Sequence, residues 1–197
     1  MIKNRRTLRT IDINNRKVIC HQNAREAYIY SKCIHTYIDA IEKDLEKKSI
    51  NRVEMLKQNQ QFNPLIAIQA NKQELQYFSG WRWYENCLAA GINEIAMIVY
   101  EESNGLDPNK LAWQYLFSEH IYDMQRSSCL RQLVDLIDAI PQRLKRELLA
   151  SNNARSAEKV VQNITGETRG AIRWSATSKS STNKLSKTIL DELIRGN

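Results

Sequence analysis

The sequence predicts an α/β fold: a small mixed sheet in the front two-thirds of the chain, followed by an all-helical region from about residue 106. Three observations predict it. Leu65-Ile66-Ala67-Ile68 and Ile95 to Val99 are short apolar runs of the length of buried strands, too short for stable helices. Residues Glu74 to Tyr100, ELQYFSGWRWYENCLAAGINEIAMIVY, parse as strand, glycine turn, helix, glycine stop, strand. Beyond Pro108 the apolar residues recur at helical spacing, with Leu130, Leu133, Val134, Ile137 and Ile140 on one stripe.

The elements follow in order. Thr7 to Ile13 alternates Leu8, Ile11 and Ile13 with polar residues, and Asn14-Asn15 turns the chain into Val18-Ile19-Cys20, so a short hairpin is expected. Residues 24–48 read as a helix, with Ile34, Tyr37, Ile38, Ile41 and Leu45 at three-to-four spacing. Ser49 caps a second, shorter helix carrying Val53 and Leu56, which Pro64 ends. Asn71-Lys72 turns the first buried strand into the strand Leu75 to Phe78. The helix from Trp81 to Ala90 stops at Gly91, which suits a C-terminal cap. After a Ser103-Asn104-Gly105 loop, Asp107-Pro108 opens the helical region with a cap and a first-turn proline, and Pro141 breaks or kinks the pattern that runs to Ala150.

Residues 154–175 hold a helix, RSAEKVVQNI, then Thr165-Gly166, then a second helix, ETRGAIRW. Val161, Ile164 and Ile172 lie where a helix-turn-helix packs its two helices together, and Gly166 lies where the turn needs positive φ. Thr168, Arg169, Gly170 and Arg173 would then face outward, as a recognition helix requires. Gln162 and Glu167 stand at positions that such units usually fill with apolar residues, so a plain helical hairpin is the alternative. Ala176 to Asn183, rich in Ser, Thr and Lys, reads as a linker. Leu185, Ile189, Leu190, Leu193 and Ile194 make a short amphipathic helix that would dock back or form a homodimer. The expected domains are 1–105, α/β with a basic N-terminal arm; 106–175, helical; and 176–197, linker and terminal helix.

The apolar fraction of 42% and the charged fraction of 26% are those of an ordinary globular protein. The longest apolar runs are far too short to cross a bilayer, and the basic N-terminus lacks the apolar stretch of a secretory signal, so a cytoplasmic protein is expected. Cys20, Cys33, Cys87 and Cys129 form no CxxC pair and read as reduced thiols. Cys20-His21 and Cys33-x-His35 do not match the usual spacing of metal knuckles. The net charge is +7, from 29 basic and 22 acidic residues, and the excess lies at the two ends. Residues 1–25 hold Lys3, Arg5, Arg6, Arg9, Arg16, Lys17 and Arg25 against Asp12 alone. Basic ends around a near-neutral body suit a polyanion partner, most simply DNA.

Val53-Glu54-Met55-Leu56-Lys57 leads to Phe62-Asn63-Pro64-Leu65-Ile66, which resembles the helix and "x-x-P-L-x-V" strand of the ParB/sulfiredoxin-like superfamily. Gly80-Trp81-Arg82-Trp83 lies where ParB proteins carry Gly-Glu-Arg-Arg, and Ala89-Ala90-Gly91, Ile95 to Val99 and Glu119-His120-Ile121 follow in the family's order. The resemblance covers about residues 50–126 and implies a ParB-like DNA-binding protein of a bacterium, plasmid or mobile element, acting in partition or transcriptional control. It also implies a nucleotide, CTP or ATP with Mg²⁺, held by Gly80, Trp81, Arg82, Glu119 and His120. Trp81 replaces the family's glutamate and Trp83 its second arginine. A tryptophan cannot act as a general base or metal ligand, so binding without catalysis is expected. Trp81 also takes the place of the sulfiredoxin cysteine.

DNA contact is expected from Arg5, Arg6 and Arg9 and from Thr168, Arg169 and Arg173. Two alternatives stand beside it. One is a CTP- or ATP-hydrolysing switch at Gly80-Trp81-Arg82, where Trp81 or Trp83 could stack on a base or pack in the core. The other is a protein-interaction scaffold. Glu85, Glu101, Glu102 and Glu119 are the carboxylates that a metal-dependent nuclease would have to gather.

Overall fold

The apolar run after Pro64 is the centre of a five-stranded mixed sheet. In the computed structural model, which describes residues 6–32, 52–101, 105–123, 129–149 and 156–177, the chain forms two compact units, Met1–Ala112 and Trp113–Asn197. The first unit begins with β1 (Arg6–Asp12) and β2 (Lys17–Cys20), and a 3-10 turn at Gln22–Ala24 runs into α1 (residues 25–32). It continues with α2 (Arg52–Phe62), β3 (Leu65–Gln69), β4 (Glu74–Ser79), α3 (Trp81–Ala89) and β5 (Glu94–Tyr100). The strand order is β1-β5-β3-β4-β2. β3 is parallel to β5 and antiparallel to β4, while β1 is antiparallel to β5 and β2 parallel to β4. The α/β fold with a mixed sheet and a following helical region is as predicted.

Alternation places the core. β5 buries Ile95, Met97 and Val99 and turns Ala96, Ile98 and Tyr100 the other way. Between β3 and β4, Asn71 Oδ1 accepts hydrogen bonds from the Gln73 and Glu74 backbone N–H groups, each at 2.9 Å, which closes the predicted turn. Ala67 pairs with Tyr77 but Ile66 pairs with Ser79, so Phe78 is the extra residue of a β-bulge. The bulge breaks strict alternation and lets Tyr77, Phe78 and Ser79 all be buried. On α3 the buried face is Trp81, Tyr84 and Cys87, at three-residue spacing. On α2 it includes Leu56 and the amide of Gln60, whose Oε1 accepts the Ala96 N–H at 2.8 Å. Val53, expected on the packed face, is exposed.

The expected hairpin of the first two strands does not form. The turn itself is present, with Asp12 Oδ1 accepting from Asn14 N at 2.9 Å and the Asp12 carbonyl from Asn15 N at 3.3 Å. However, β1 pairs with β5 and β2 with β4, so the two strands lie at opposite edges of the sheet. Leu8, grouped with Ile11 in the sequence pattern, is exposed on the other face, because three residues of strand reverse the side-chain direction. Residues 13–16 therefore link the two edges directly. From Asp12 to Lys17 such a link reaches about 18 Å at most, whereas the edges of a flat five-stranded sheet are about 19 Å apart laterally. The registers add a further offset of about 25 Å along the strands, since Asp12 is level with Glu94 before the start of β3 and Lys17 is level with Glu74 beyond its end. Only a strongly twisted and coiled sheet brings those diagonal corners together.

α4 (Pro108–Asp123) runs from the first unit into the second, and Asp107 Oδ1 caps it by accepting from Lys110 N at 3.1 Å. The second unit continues with α5 (Leu130–Ala139), α6 (Gln142–Leu148), α7 (Ala157–Thr165) and α8 (Arg169–Thr177). Pro141 separates α5 from α6, as predicted. The stripe Leu130, Leu133, Val134, Ile137 and Ile140 is buried, and Leu136 joins it. The predicted Ile34 to Leu45 stripe, the Ser49 cap, the loop at Ser103 and Asn104, the linker from residue 178 and the helix from Leu185 to Ile194 all lie outside the described residues, while Ala176 and Thr177, expected in the linker, are the last residues of α8.

Gln60 links α2 to the sheet through one buried acceptor. Gln60→Leu keeps the volume and orphans the Ala96 N–H, so it is expected to cost about 1–3 kcal/mol. Urea denaturation measures this, and faster amide exchange at Ala96 should accompany it.

Candidate functional site

The Ser79-to-Arg82 turn is shaped by packing. Gly80 has φ 80°, in the left-handed region, and a Cβ there would meet the Pro64 carbonyl oxygen at 2.6 Å and the Leu65 Cα at 2.9 Å. Glycine is therefore required twice, by the dihedral and by the approach to the start of β3. Trp81, the first residue of α3, is fully buried and meets Tyr28 edge-to-face with ring centroids 5.6 Å apart. Its ring belongs to the core and presents no face on which a base could stack. Trp83 and Arg82 are half-buried.

The five residues expected to hold a nucleotide fall in both units. Gly80, Trp81 and Arg82 are in the first; Glu119 and His120 are on α4 within the second. His120 is fully buried, with Nε2 3.8 Å from Glu119 Oε2, and Glu119 Oε1 accepts the Tyr115 hydroxyl at 2.7 Å. Glu85 accepts the Tyr28 hydroxyl and pairs with Lys32 at 3.2 Å, while Glu101 pairs with Arg9 at 3.3 Å. Glu102 lies outside the described residues. Among the described residues no three His, Cys, Asp or Glu side chains gather into a metal site. Burial pushes the Cys20 thiol up to about 12, and burial raises the Cys87 thiol as well, so neither is a reactive thiolate near neutral pH. Burial and the bond to Glu85 also raise the Tyr28 phenol.

The N-terminal arginines sit on a strand. Arg6 and Arg9 belong to β1, where Arg6 is exposed on one face and Arg9 lies on the other, tied to Glu101. One phosphate track along that face would reach Arg6 alone of the two. Arg5 lies outside the described residues.

The α7–α8 pair is two capped helices joined through a left-handed glycine. Ser156 caps α7 by accepting the Lys159 N–H at 3.3 Å. Gly166, at φ 74°, ends it, and its N–H donates to the Gln162 carbonyl at 2.9 Å. Thr168 then caps α8, with Oγ1 accepting the Ala171 N–H at 3.2 Å. Val161 and Ile172 are fully buried and Ile164 is half-buried, while Thr168, Arg169, Gly170 and Arg173 are exposed. Sequence reasoning missed Glu158 on α7. Its Oε2 lies 2.9 Å from Arg169 Nε and its Oε1 3.8 Å from Arg173 Nε. The Arg169 hydrogen bond, with the charges of Arg173 and Arg131, holds the Glu158 carboxyl below its ordinary range. The partners are 11 and 15 residues away in sequence, beyond any helical spacing, so no periodic signal marks them.

Compared with known proteins, the chain matches no family model, no curated protein and no solved structure.

Two measurements check this geometry. Gly80→Ala is expected to destabilise the chain by at least about 2 kcal/mol in urea, through the positive φ and the contact with Pro64; a change below about 0.5 kcal/mol contradicts it. Cys20 and Cys87 should resist alkylation at neutral pH in the native protein and react fully once unfolded. The Cys20 rate should still be climbing about tenfold per pH unit at pH 10, because its thiol titrates near 12.

Proposed function

We propose that the chain is a ParB-like DNA-binding protein, acting in DNA partition or transcriptional control, with α8 as the element that meets DNA. The observation that carries the reading is α8 itself. It is a capped helix behind a left-handed glycine turn, packed through Ile172, with Thr168, Arg169 and Arg173 exposed together. An exposed helix with guanidinium groups one turn apart suits a groove, where arginine reaches phosphate oxygens and guanine edges. The net charge of +7 supports the same reading, since a polyanion releases counterions on binding cationic side chains. Partition or regulation follows from the resemblance to ParB proteins in element order. The alternative of a CTP- or ATP-dependent switch draws on Arg82 at the α3 N-terminus. The burial of Trp81 takes its ring away from a base, which leaves Arg82 and the backbone N–H groups of the first turn of α3 as the donors that reading draws on.

Fluorescence anisotropy with a labelled duplex tests the proposal. The wild-type protein should bind, and log K should fall steeply and linearly with log salt. The Arg169→Ala, Arg173→Ala double variant should bind at least about tenfold more weakly, with a slope shallower by about two. A double variant that keeps its urea stability and binds as wild type does removes α8 from the interface.

A further inference from the structure

Glu158 is shared. One carboxylate on α7 faces Arg169 and Arg173 of α8 through its two different oxygens. A third guanidinium stands on α5. Arg131 lies in the first turn of that helix, which packs against both α7 and α8, and its charge is among those that lower the Glu158 carboxyl. Arg131 is itself paired within its helix, Nε lying 3.2 Å from Asp135 Oδ1. Two cations of α8 thus meet one carboxylate of α7, with Arg131 on the helix packed against both, and all three stay accessible, with side chains 35% (Arg131), 62% (Arg169) and 61% (Arg173) exposed.

We propose that Arg131, Arg169 and Arg173 form one binding cluster for a DNA backbone phosphate, whose place Glu158 holds in the free protein. The inference rests on the DNA-binding reading of α8 and adds to it a residue on α5 and an internal competitor. The chemistry of the exchange is direct. A phosphodiester offers one negative charge and two unesterified oxygens, as a carboxylate does, and guanidinium groups bind both through paired N–H donors. Ion pairs this exposed hold their partners weakly in water, so an incoming phosphate can displace the carboxylate. Until then Glu158 pairs with both α8 side chains and lowers the charge that DNA meets.

Two single variants, each titrated with labelled duplex over about 50 to 200 mM salt, test this. Glu158→Gln removes the competitor without changing shape. It should bind about three- to tenfold more tightly at low salt, with a slope steeper by about 0.9. Arg131→Ala should bind more weakly by a similar factor, with a slope shallower by about 0.9, although it lies outside the helix-turn-helix. If Glu158→Gln fails to fold, Arg131→Ala decides the matter. Glu158→Gln binding no more tightly than wild type, or Arg131→Ala binding equally well, overturns the cluster. If the wild type binds duplex while these results are flat, the DNA reading of α8 stands and only the cluster falls. A wild type that binds no duplex at low salt removes both.

Discussion

The first unit depends on the close approach of Gly80 to the start of β3. β3 is the central strand, hydrogen-bonded to β4 on one side and β5 on the other. The chain leaves β4, turns over the Pro64–Leu65 backbone with no room for a Cβ, and starts α3 at once. That turn seats Trp81, Tyr84 and Cys87 in the core. Tyr28 of α1 and Tyr77 of β4 then pack around Trp81 and Tyr84 with centroids 5.4 to 5.6 Å apart. A larger residue at position 80 would push α3 off the sheet and open this aromatic layer. A glycine-led strand-to-helix turn can serve an anion or serve packing, and Gly80 serves packing through its approach to Pro64 and Leu65.

The second unit depends on a different glycine. Gly166 turns the chain between α7 and α8 in a conformation that other residues rarely adopt. The turn brings Val161 and Ile172 into the same core and leaves Arg169 and Arg173 on the outer face. It also brings Glu158 of α7 within reach of both arginines. The outward charge of α8 is therefore set by tertiary contacts, and the residue that moderates it lies on the preceding helix.

Much of this was legible in the sequence, for reasons that can be named. Strands β3, β4 and β5 are continuous or alternating apolar runs bounded by Pro64, Asn71, Gly80 and Gly91, and each boundary acts through local backbone chemistry. The α5 stripe is a simple helical period. Strand partners were not legible. Asn14-Asn15 does make a turn, but the choice between pairing with each other and pairing with β5 and β4 is made by the whole sheet. Position 81 shows the same limit. Tryptophan beside glycine and arginine suits a stacking site or a core anchor equally well in one dimension, and only burial separates the two. Arg131 and Glu158 escaped notice because their relation to α8 is made across helices that no local spacing connects.

The central claim is that α8, and not the Gly80 turn, meets DNA. An amide chemical-shift titration of the full chain with duplex tests it most directly. The account predicts shift changes at Thr168 to Arg173 and at neighbouring residues of α7, with Gly80, Trp81 and Arg82 unmoved. Changes confined to Gly80 to Trp83, with α8 silent, would contradict it.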